Sequence, residues 1–441
     1  MLLGCIADDL TGATDLAGGL VREGLRVDLA VGVPEGPLDR GMDAVVVALK
    51  SRSVPARSAV ELSLRALDRL RAAGAERIYF KYASTFDSTA AGNIGPVTDA
   101  LQAALGAGIS TACPAFPANG RTVLEGHLWV DGGRLAESHM RHHPLNPMTE
   151  SDLVLLLGAQ ATGPVGLVPR ETVMQGPSAI RGALDALERR GARHAIVDAV
   201  DDADLRSIAA AVCDAALVTG GSALAAAIAA ELRGRGAVEA VGASDGDPAA
   251  APAPPGPLAA VVAGSCSAAT LRQIDVFAVD HPVLRIDPRR AVADPALPAE
   301  AVAWAAARLR DGPVLIAASA EPSAVAAAAA LGPDVGATLE RVLAEIAAGL
   351  VDHGVGRLVV AGGETSGAVI AHLGVRRLRV GPEIEPGVPA VSTSDPVALR
   401  LALKSGNFGS DDFFEVALAA LGSGTLAPRG PAWPPERGEG S

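Results

Sequence analysis

Residues 6–17 read Ile6-Ala7-Asp8-Asp9-Leu10-Thr11-Gly12-Ala13-Thr14-Asp15-Leu16-Ala17. Before the acidic pair, Leu2, Leu3, Cys5 and Ile6 make a short buried strand. After it, Leu10, Ala13, Ala17, Leu20 and Val21 recur at helical spacing. A strand, an acidic turn and a helix form the opening unit of an open α/β sheet, where ligands collect at the carboxyl ends of strands. Asp8 and Asp9 stand at such an end. The pair can hold a metal, accept a hydroxyl proton or cap the helix. A single Asp there is ordinarily a cap; two in succession favour chemistry.

The same grammar continues along the chain. Strands are predicted at 44–49, 77–82, 111–115, 194–198 and 215–219, with helices at 59–73 and 98–107. Residues 244–257, SDGDPAAAPAPPGP, have little capacity to form a core and read as a semi-extended linker. Beyond them strands recur at 258–263, 313–318 and 357–361. This alternation predicts an α/β protein of two domains, each a mainly parallel sheet flanked by helices. The domains span 1–243 and 258–426, and the Pro- and Gly-rich tail 427–441 is expected to be disordered.

Composition narrows the function. Aromatic residues are 3% of the 441, too few for a single-strand stacking surface, and the net charge of −13 argues against phosphate-backbone binding. No nucleic-acid partner is expected. Cys5, Cys113, Cys213 and Cys266 are widely spaced, without a CxxC pair for zinc or a disulfide framework. Asp8 and Asp9 interrupt any leader-type apolar run, and the alanine-rich runs at 301–307 and 324–331 are broken or short. The expected setting is the cytoplasm, away from membranes. The apolar helices suit a homodimer interface as well as a core.

Three strand–Gly/Ser–helix junctions stand out at 219–222, 264–267 and 362–367. Glycine admits a ligand close to the backbone, and a helix N-terminus offers free N–H groups to an anion. Two such junctions in one C-terminal domain point to nucleotide phosphates, although neither GxxxxGK[ST] nor a well-placed GxGxxG is present. At LKSGNFGSDDFF (403–414), Lys404 and Gly406 can meet a nucleotide, or the stretch is a Gly-Asn turn before a helix near Asp411. In the N-terminal half, Lys50-Ser51-Arg52-Ser53 leaves a strand end as a cation pair able to meet carboxylate or phosphate. Phe80-Lys81-Tyr82-Ala83-Ser84-Thr85-Phe86-Asp87 leaves another. Three polar strand ends in successive units suggest a shared cleft. Residues 113–148 read as a long irregular lid in which Asn119, Arg121 and His127 can recognise a polyhydroxy acid. His139, His142 and His143 lack carboxylates at metal-site spacing.

Taken together, IADDLTGATDLA, LKSRS, FKYASTFDST with GNIGP, CPAFPANGRT, TGGS, GSCS, AGGETSGAV, GPEIEPGVP and LALKSGNFGSDDFF resemble the four-carbon acid sugar kinase family, in order from Ile6 to Phe414. The KYASTFDST form, GHLWV and HHPLNPMT are most similar to the branch acting on 3-oxo-tetronate; threonate and erythronate kinases carry a KIDSTLRG-like sequence instead. The resemblance implies an ATP-dependent kinase with its active site in the interdomain cleft, the sugar acid on the first domain and ATP on the second. The reaction implied is phosphorylation of the 4-hydroxyl of 3-oxo-tetronate. Carried over residue by residue, Ser265, Gly363, Glu364, Thr365, Ser366 and Gly406 are the nucleotide contacts, with Gly264 and Gly362 shaping turns. Asp9 is assigned as base, Asp8 as its structural or metal-linked neighbour and Asp87 as the competing base. Arg52 and Lys81, with Arg121 behind them, are assigned to the substrate carboxylate or the transferring phosphoryl group, and Ser84, Asn119 and His127 to substrate. Mg²⁺ is expected with the nucleotide, its protein ligands unassigned; Glu364 either orients its hydration shell or serves as a helix-start acid. D-threonate or D-erythronate kinases are the alternatives within the class. A non-catalytic two-lobed binder or a nicotinamide dehydrogenase are the rivals outside it.

Overall fold

The opening unit forms as its pattern dictates. In the computed structural model, which describes residues 1–142, 146–237, 256–320, 332, 334–393 and 395–422, strand Leu3–Ala7 is buried throughout and helix Leu10–Arg22 follows directly. Asp9 caps that helix in an extended conformation, its carboxylate accepting the Gly12 N–H at 3.0 Å.

Eight parallel strands form the N-terminal half of the sheet. Their order is Val27–Val31, Ala44–Ala48, Leu3–Ala7, Arg77–Lys81, Leu217–Gly220, Ser110–Cys113, His194–Val197 and Val165–Val168. Five more parallel strands form the C-terminal half: Val283–Arg285, Val314–Ala317, Leu258–Ala263, Val355–Ala361 and Leu399–Lys404. The predicted pair of parallel sheets is thus present, but the two are continuous. The hairpin Arg377–Glu385 and Val388–Thr393 lies between them, and Arg377–Arg379 pair antiparallel with Asp28–Ala30. One fifteen-stranded sheet results. Its three successive antiparallel pairings reverse strand direction, so the two parallel halves run in opposite senses. Register shifts at 380–383 and 383–385 mark bulges where the long hairpin strand can bend.

Helix Leu10–Arg22 packs against both the first sheet half and the hairpin, and its residues 10–20 are all buried. Its glycines permit close approach on two sides: a Cβ on Gly18 would lie 3.0 Å from Pro389 of the hairpin, and one on Gly19 3.3 Å from Ala226 of helix Ser222–Gly234. The four inner strands of the C-terminal half are buried on both faces, as parallel strands between helices must be, while the edge strand Val283–Arg285 is only partly buried. Ala260 and Val262 join a core that runs through both halves, while Ala259, Val261 and Ala263 face a second cluster with Phe277, Phe413 and Phe414.

The stretch read as irregular between 113 and 148 contains a three-stranded antiparallel sheet, Arg121–Leu124, His127–Val130 and Gly133–Arg134. Its turns are Glu125-Gly126 and Asp131-Gly132, all four residues at positive φ, the hairpin chemistry that Asp-Gly announces. The final helix is Phe413–Gly422, close to its expected start. Of the predicted linker only residues 256 and 257 are described, and the tail 427–441, the 324–331 run and His143 lie outside the described residues. No described helix is long and apolar enough to cross a membrane.

One buried polar cluster ties strand starts to a helix. His194, wholly buried, bonds Ser110 Oγ through Nδ1 at 2.7 Å and Asp99 through Nε2 at 2.8 Å. Burial holds its imidazole below the ordinary value of 6.5, against the opposing pull of Asp99. A depressed histidine binds its proton more readily when unfolded, so its contribution is complete above pH 6.5 and lost as pH falls through the lower folded value. Urea unfolding is expected to show stability rising with pH below 6.5, with the slope reduced in His194→Gln.

Candidate active site

Three adjacent strands bring charge to one pole of the N-terminal half. Asp8 and Asp9 follow Leu3–Ala7, and Arg52 follows the neighbouring strand Ala44–Ala48. Lys81 ends Arg77–Lys81 on the other side, and Asp87 sits in the loop beyond it. Arg52 grips Asp8 in bidentate fashion at 2.8 and 2.9 Å, reaches Asp9 at 2.8 Å and Asp87 at 3.3 Å. Asn93, from GNIGP, fixes this turn: its Nδ2 donates to the carbonyls of Ser51 and Val54, each at 2.8 Å. Phe86 adopts φ +59° and is held by an edge-on contact with Tyr82 at 5.4 Å, and the next residue is Asp87. Strain of this kind is sustained only where packing over-determines it.

The carboxylates differ in charge preference. Burial raises Asp8 even against Arg52, whereas for Asp9 burial is outweighed by Arg52, Lys81, the Thr11 hydroxyl and the Gly12 amide, which hold it below the ordinary range. Asp15, one turn further on, is pushed up to about 6 by burial, against the pull of Lys81 and of the Ser222 hydroxyl bonded to it. Lys81 is buried beside Gly12, where an added Cβ would meet both its Nζ and Asp9 Oδ1. Among the described residues the Lys81 ammonium makes no hydrogen bond and no ion pair within 4.0 Å, although Asp8, Asp9 and Asp15 all feel its charge.

In the C-terminal half, three loops leave the adjacent strands Leu258–Ala263, Val355–Ala361 and Leu399–Lys404 and interlock. A Cβ on Gly264 would overlap Thr365 Oγ1, and one on Gly406 would lie 2.2 Å from Ser265 Oγ. Gly362, at φ +123°, faces the Ser265 amide and Thr365. Ser267 and Thr270 hydroxyls both donate to the Gly406 carbonyl. Ser366 Oγ is buried in the first turn of helix Gly363–His372 without a partner. Lys404 does not project into this space. It is fully buried, brought down to about 7 by burial, and its ammonium bonds Thr270 Oγ1 and the carbonyls of Ser405 and Gly406.

The two poles face one another. A Cβ on Gly363 would sit 3.3 Å from Thr11 Oγ1 and 3.6 Å from Asp9 Oδ2. Lys50 Nζ lies 3.2 Å from Glu364, and His139 meets Asn407 at 3.2 Å. A sugar-binding model, "Sugar-binding N-terminal domain", matches residues 3–228, and a "Nucleotide-binding C-terminal domain" matches residues 260–414. A "3-oxo-tetronate kinase" of Pseudomonas fluorescens is 50% identical over 96% of this chain and 98% of its own, and one of Salmonella typhimurium is 43% identical over 93% and 97%. The chain belongs to the 3-oxo-tetronate kinase family. Solved relatives share the architecture. A Salmonella typhimurium protein named as a putative tRNA synthase superposes with a TM-score of 0.81 at 42% identity, covering 94% of this chain and 98% of that one. Haemophilus influenzae protein HI1011 gives 0.72 at 40%, covering 95% and 100%.

Within this family member, Asp8, Asp9, Arg52, Lys81 and Asp87 come together as the sequence suggested, as do Ser265, Gly363, Thr365, Ser366 and Gly406. Arg52, read as an anion contact, instead has three carboxylates against its guanidinium. Ser84 is half-buried just past strand Arg77–Lys81, without a hydrogen bond among the described residues. Asn119, Arg121 and His127 belong to the small antiparallel sheet and its preceding turn. Arg121 is buried, with Asp131 4.0 Å away and one terminal nitrogen donating to the Asn119 carbonyl; among the described residues its Nε and Asn119 Nδ2 lack partners, while His127 bonds the Glu125 carbonyl. The 219–222 junction is not open to a ligand. Gly220 and Gly221 pack on the Cys113 and Pro114 carbonyls, and Ser222 is spent on Asp15. Neither Asn93 nor Asn146, which donates to Asp87 at 3.1 Å, is among the assigned residues, although GNIGP and HHPLNPMT, which contain them, carry part of the resemblance. No three potential metal ligands converge among the described residues.

Proposed function

We propose that this protein is an ATP-dependent kinase that phosphorylates the 4-hydroxyl of 3-oxo-tetronate. The observation carrying this reading is the approach of Asp9 to Gly363, which sets an ionised carboxylate against the loop best suited to a triphosphate. Residues 1–243 hold the sugar acid, residues 258–426 hold ATP, and 244–257 join them in a cytoplasmic enzyme. Phosphoryl transfer asks mainly for alignment and charge neutralisation. Asp9 takes the proton as the 4-oxygen forms its bond to the γ-phosphorus; the bond to the β,γ-bridging oxygen breaks and its electron pair leaves with ADP. Arg52 holds Asp8, Asp9 and Asp87 in register rather than binding substrate itself. Lys81 stands behind Asp9 with its ammonium available to an incoming oxygen. Arg121 and Asn119, with buried unpartnered donors, suit the substrate carboxylate, and Ser84 and His127 suit its hydroxyls.

On the nucleotide side, Ser265, Thr365, Ser366 and the amides at Gly363 and Glu364 meet phosphate, with Gly406 passing close to ribose or phosphate. With no three potential ligands converging among the described residues, Mg²⁺ would accompany the triphosphate, with Glu364 the side chain that would face it. Bound there it supplies further neutralisation of phosphate charge. A synthase acting on tRNA, the name carried by the Salmonella structure, finds no support in a chain of net charge −13.

Coupled ADP release with a panel of four-carbon acids, followed by assignment of the phosphate position, tests the reading. Release with 3-oxo-tetronate and phosphate at O4 is expected; turnover only with threonate or erythronate would overturn the substrate, and none with any acid would overturn the kinase. Gly406→Ala forces a Cβ 2.2 Å from Ser265 Oγ and 3.1 Å from Ser267 Oγ. Titration calorimetry is expected to show ATP-analogue affinity reduced at least about tenfold, with the thermal midpoint little changed.

A further inference from the structure

We infer that Lys50 is a catalytic residue of this reaction, supplying positive charge to the γ-phosphoryl group from the sugar-binding side; the inference rests on the kinase reading above. The loops assigned to the nucleotide carry hydroxyls and amides but little usable charge. Residues 264–267, 362–366 and 405–409 contain no Lys or Arg, and Lys404 beneath them spends its ammonium on Thr270, Ser405 and Gly406. Neutralisation during transfer must therefore come largely from the facing half and from a metal ion. In that half, Arg52 is gripped by three carboxylates, and the buried Lys81 ammonium lies against Gly12 behind Asp9, where the reading above gives it to an oxygen of the sugar acid.

Lys50 is differently disposed. It follows strand Ala44–Ala48, its side chain is 68% exposed, and its Nζ already reaches across to Glu364 at 3.2 Å and Glu340 at 3.9 Å. Glu364 follows Gly363, whose Cα faces Asp9, so the ammonium spans the gap in which the γ-phosphoryl group moves. An exposed ion pair of this kind contributes little by itself. Lys50 can exchange Glu364 for a more highly charged phosphate oxygen at small cost, while the lysine stem keeps it on the acceptor side.

The test pairs kinetics with nucleotide binding in the full-length protein. Lys50→Ala is expected to lower kcat about 100-fold. It should also weaken a non-hydrolysable ATP analogue about tenfold while leaving ADP affinity and the thermal midpoint unchanged; Lys50→Arg should recover most of the loss. A mere tether between the halves would shift both nucleotides equally or neither. A kcat within threefold of the parent, or equal weakening of ADP and the ATP analogue, overturns the inference. If the parent binds both nucleotides but transfers phosphate to no four-carbon acid, the substrate reading fails on its own. Selective loss of the ATP analogue in Lys50→Ala would then still support the γ-phosphate contact.

Discussion

Asp9→Asn is expected to reduce turnover by about 10²–10⁴-fold, the range for loss of a positioned general base. Asparagine preserves the helix cap, since its side-chain oxygen can still accept the Gly12 N–H now held at 3.0 Å. ATP-analogue affinity should therefore stay near that of the parent, and the loss should fall on kcat. Because Arg52, Lys81, Thr11 and Gly12 hold Asp9 below the ordinary carboxylate range despite its burial, it is ionised throughout the neutral range. The acid limb of the parent's kcat profile should accordingly lie below the ordinary Asp value. Stopped-flow or coupled ADP release together with calorimetry separates the two effects. Near-parental turnover would remove Asp9 from the mechanism and leave Asp87 as the base.

Arg52→Met is expected to be the most destabilising single change at the site. The guanidinium lies 2.8 Å from both Asp8 and Asp9 and 3.3 Å from Asp87, with its side chain 18% exposed. Removing it leaves three nearby carboxylates facing one another with Lys81 as the remaining nearby cation. Breaking a buried pair by deleting one partner costs about 3–5 kcal/mol, because the stranded charge cannot regain water. Urea denaturation should show that loss at pH 7. It should shrink toward acid pH, where protonation relieves carboxylate repulsion. Arg52→Lys would restore the charge without the bidentate fork, so it should recover stability better than activity. Parental stability in Arg52→Met would show the carboxylates to be compensated elsewhere.

Much of this was legible from local pattern. Asp8-Asp9 at the end of an apolar run, and glycine-serine turns after 258–263 and 357–361, announce strand ends by composition alone, and parallel order gathers such ends at one pole. What stayed hidden depends on pairing between distant segments. Nothing near Arg377 reveals that it will join Asp28–Ala30, because any charged, alternating strand can pair with many others. Arg52 illustrates the same limit: a basic residue at a strand end reads as an anion contact, and its capture by three carboxylates becomes visible only when three strands are adjacent. The small sheet at 121–134 is another matter, since Asp131-Gly132 between alternating apolar residues was a readable hairpin. The 219–222 junction shows that a glycine pair can equally answer close packing, here against Cys113 and Pro114.

The pairing of Arg377–Arg379 with Asp28–Ala30 means that neither half is a self-sufficient module. Separated, each would bare a row of unsatisfied amides and carbonyls, an invitation to stick to its own kind. The two halves are thus welded along their backbones. Any opening between the halves has to flex that weld, and shuffling either half onto a foreign partner would first require a replacement for the missing rung.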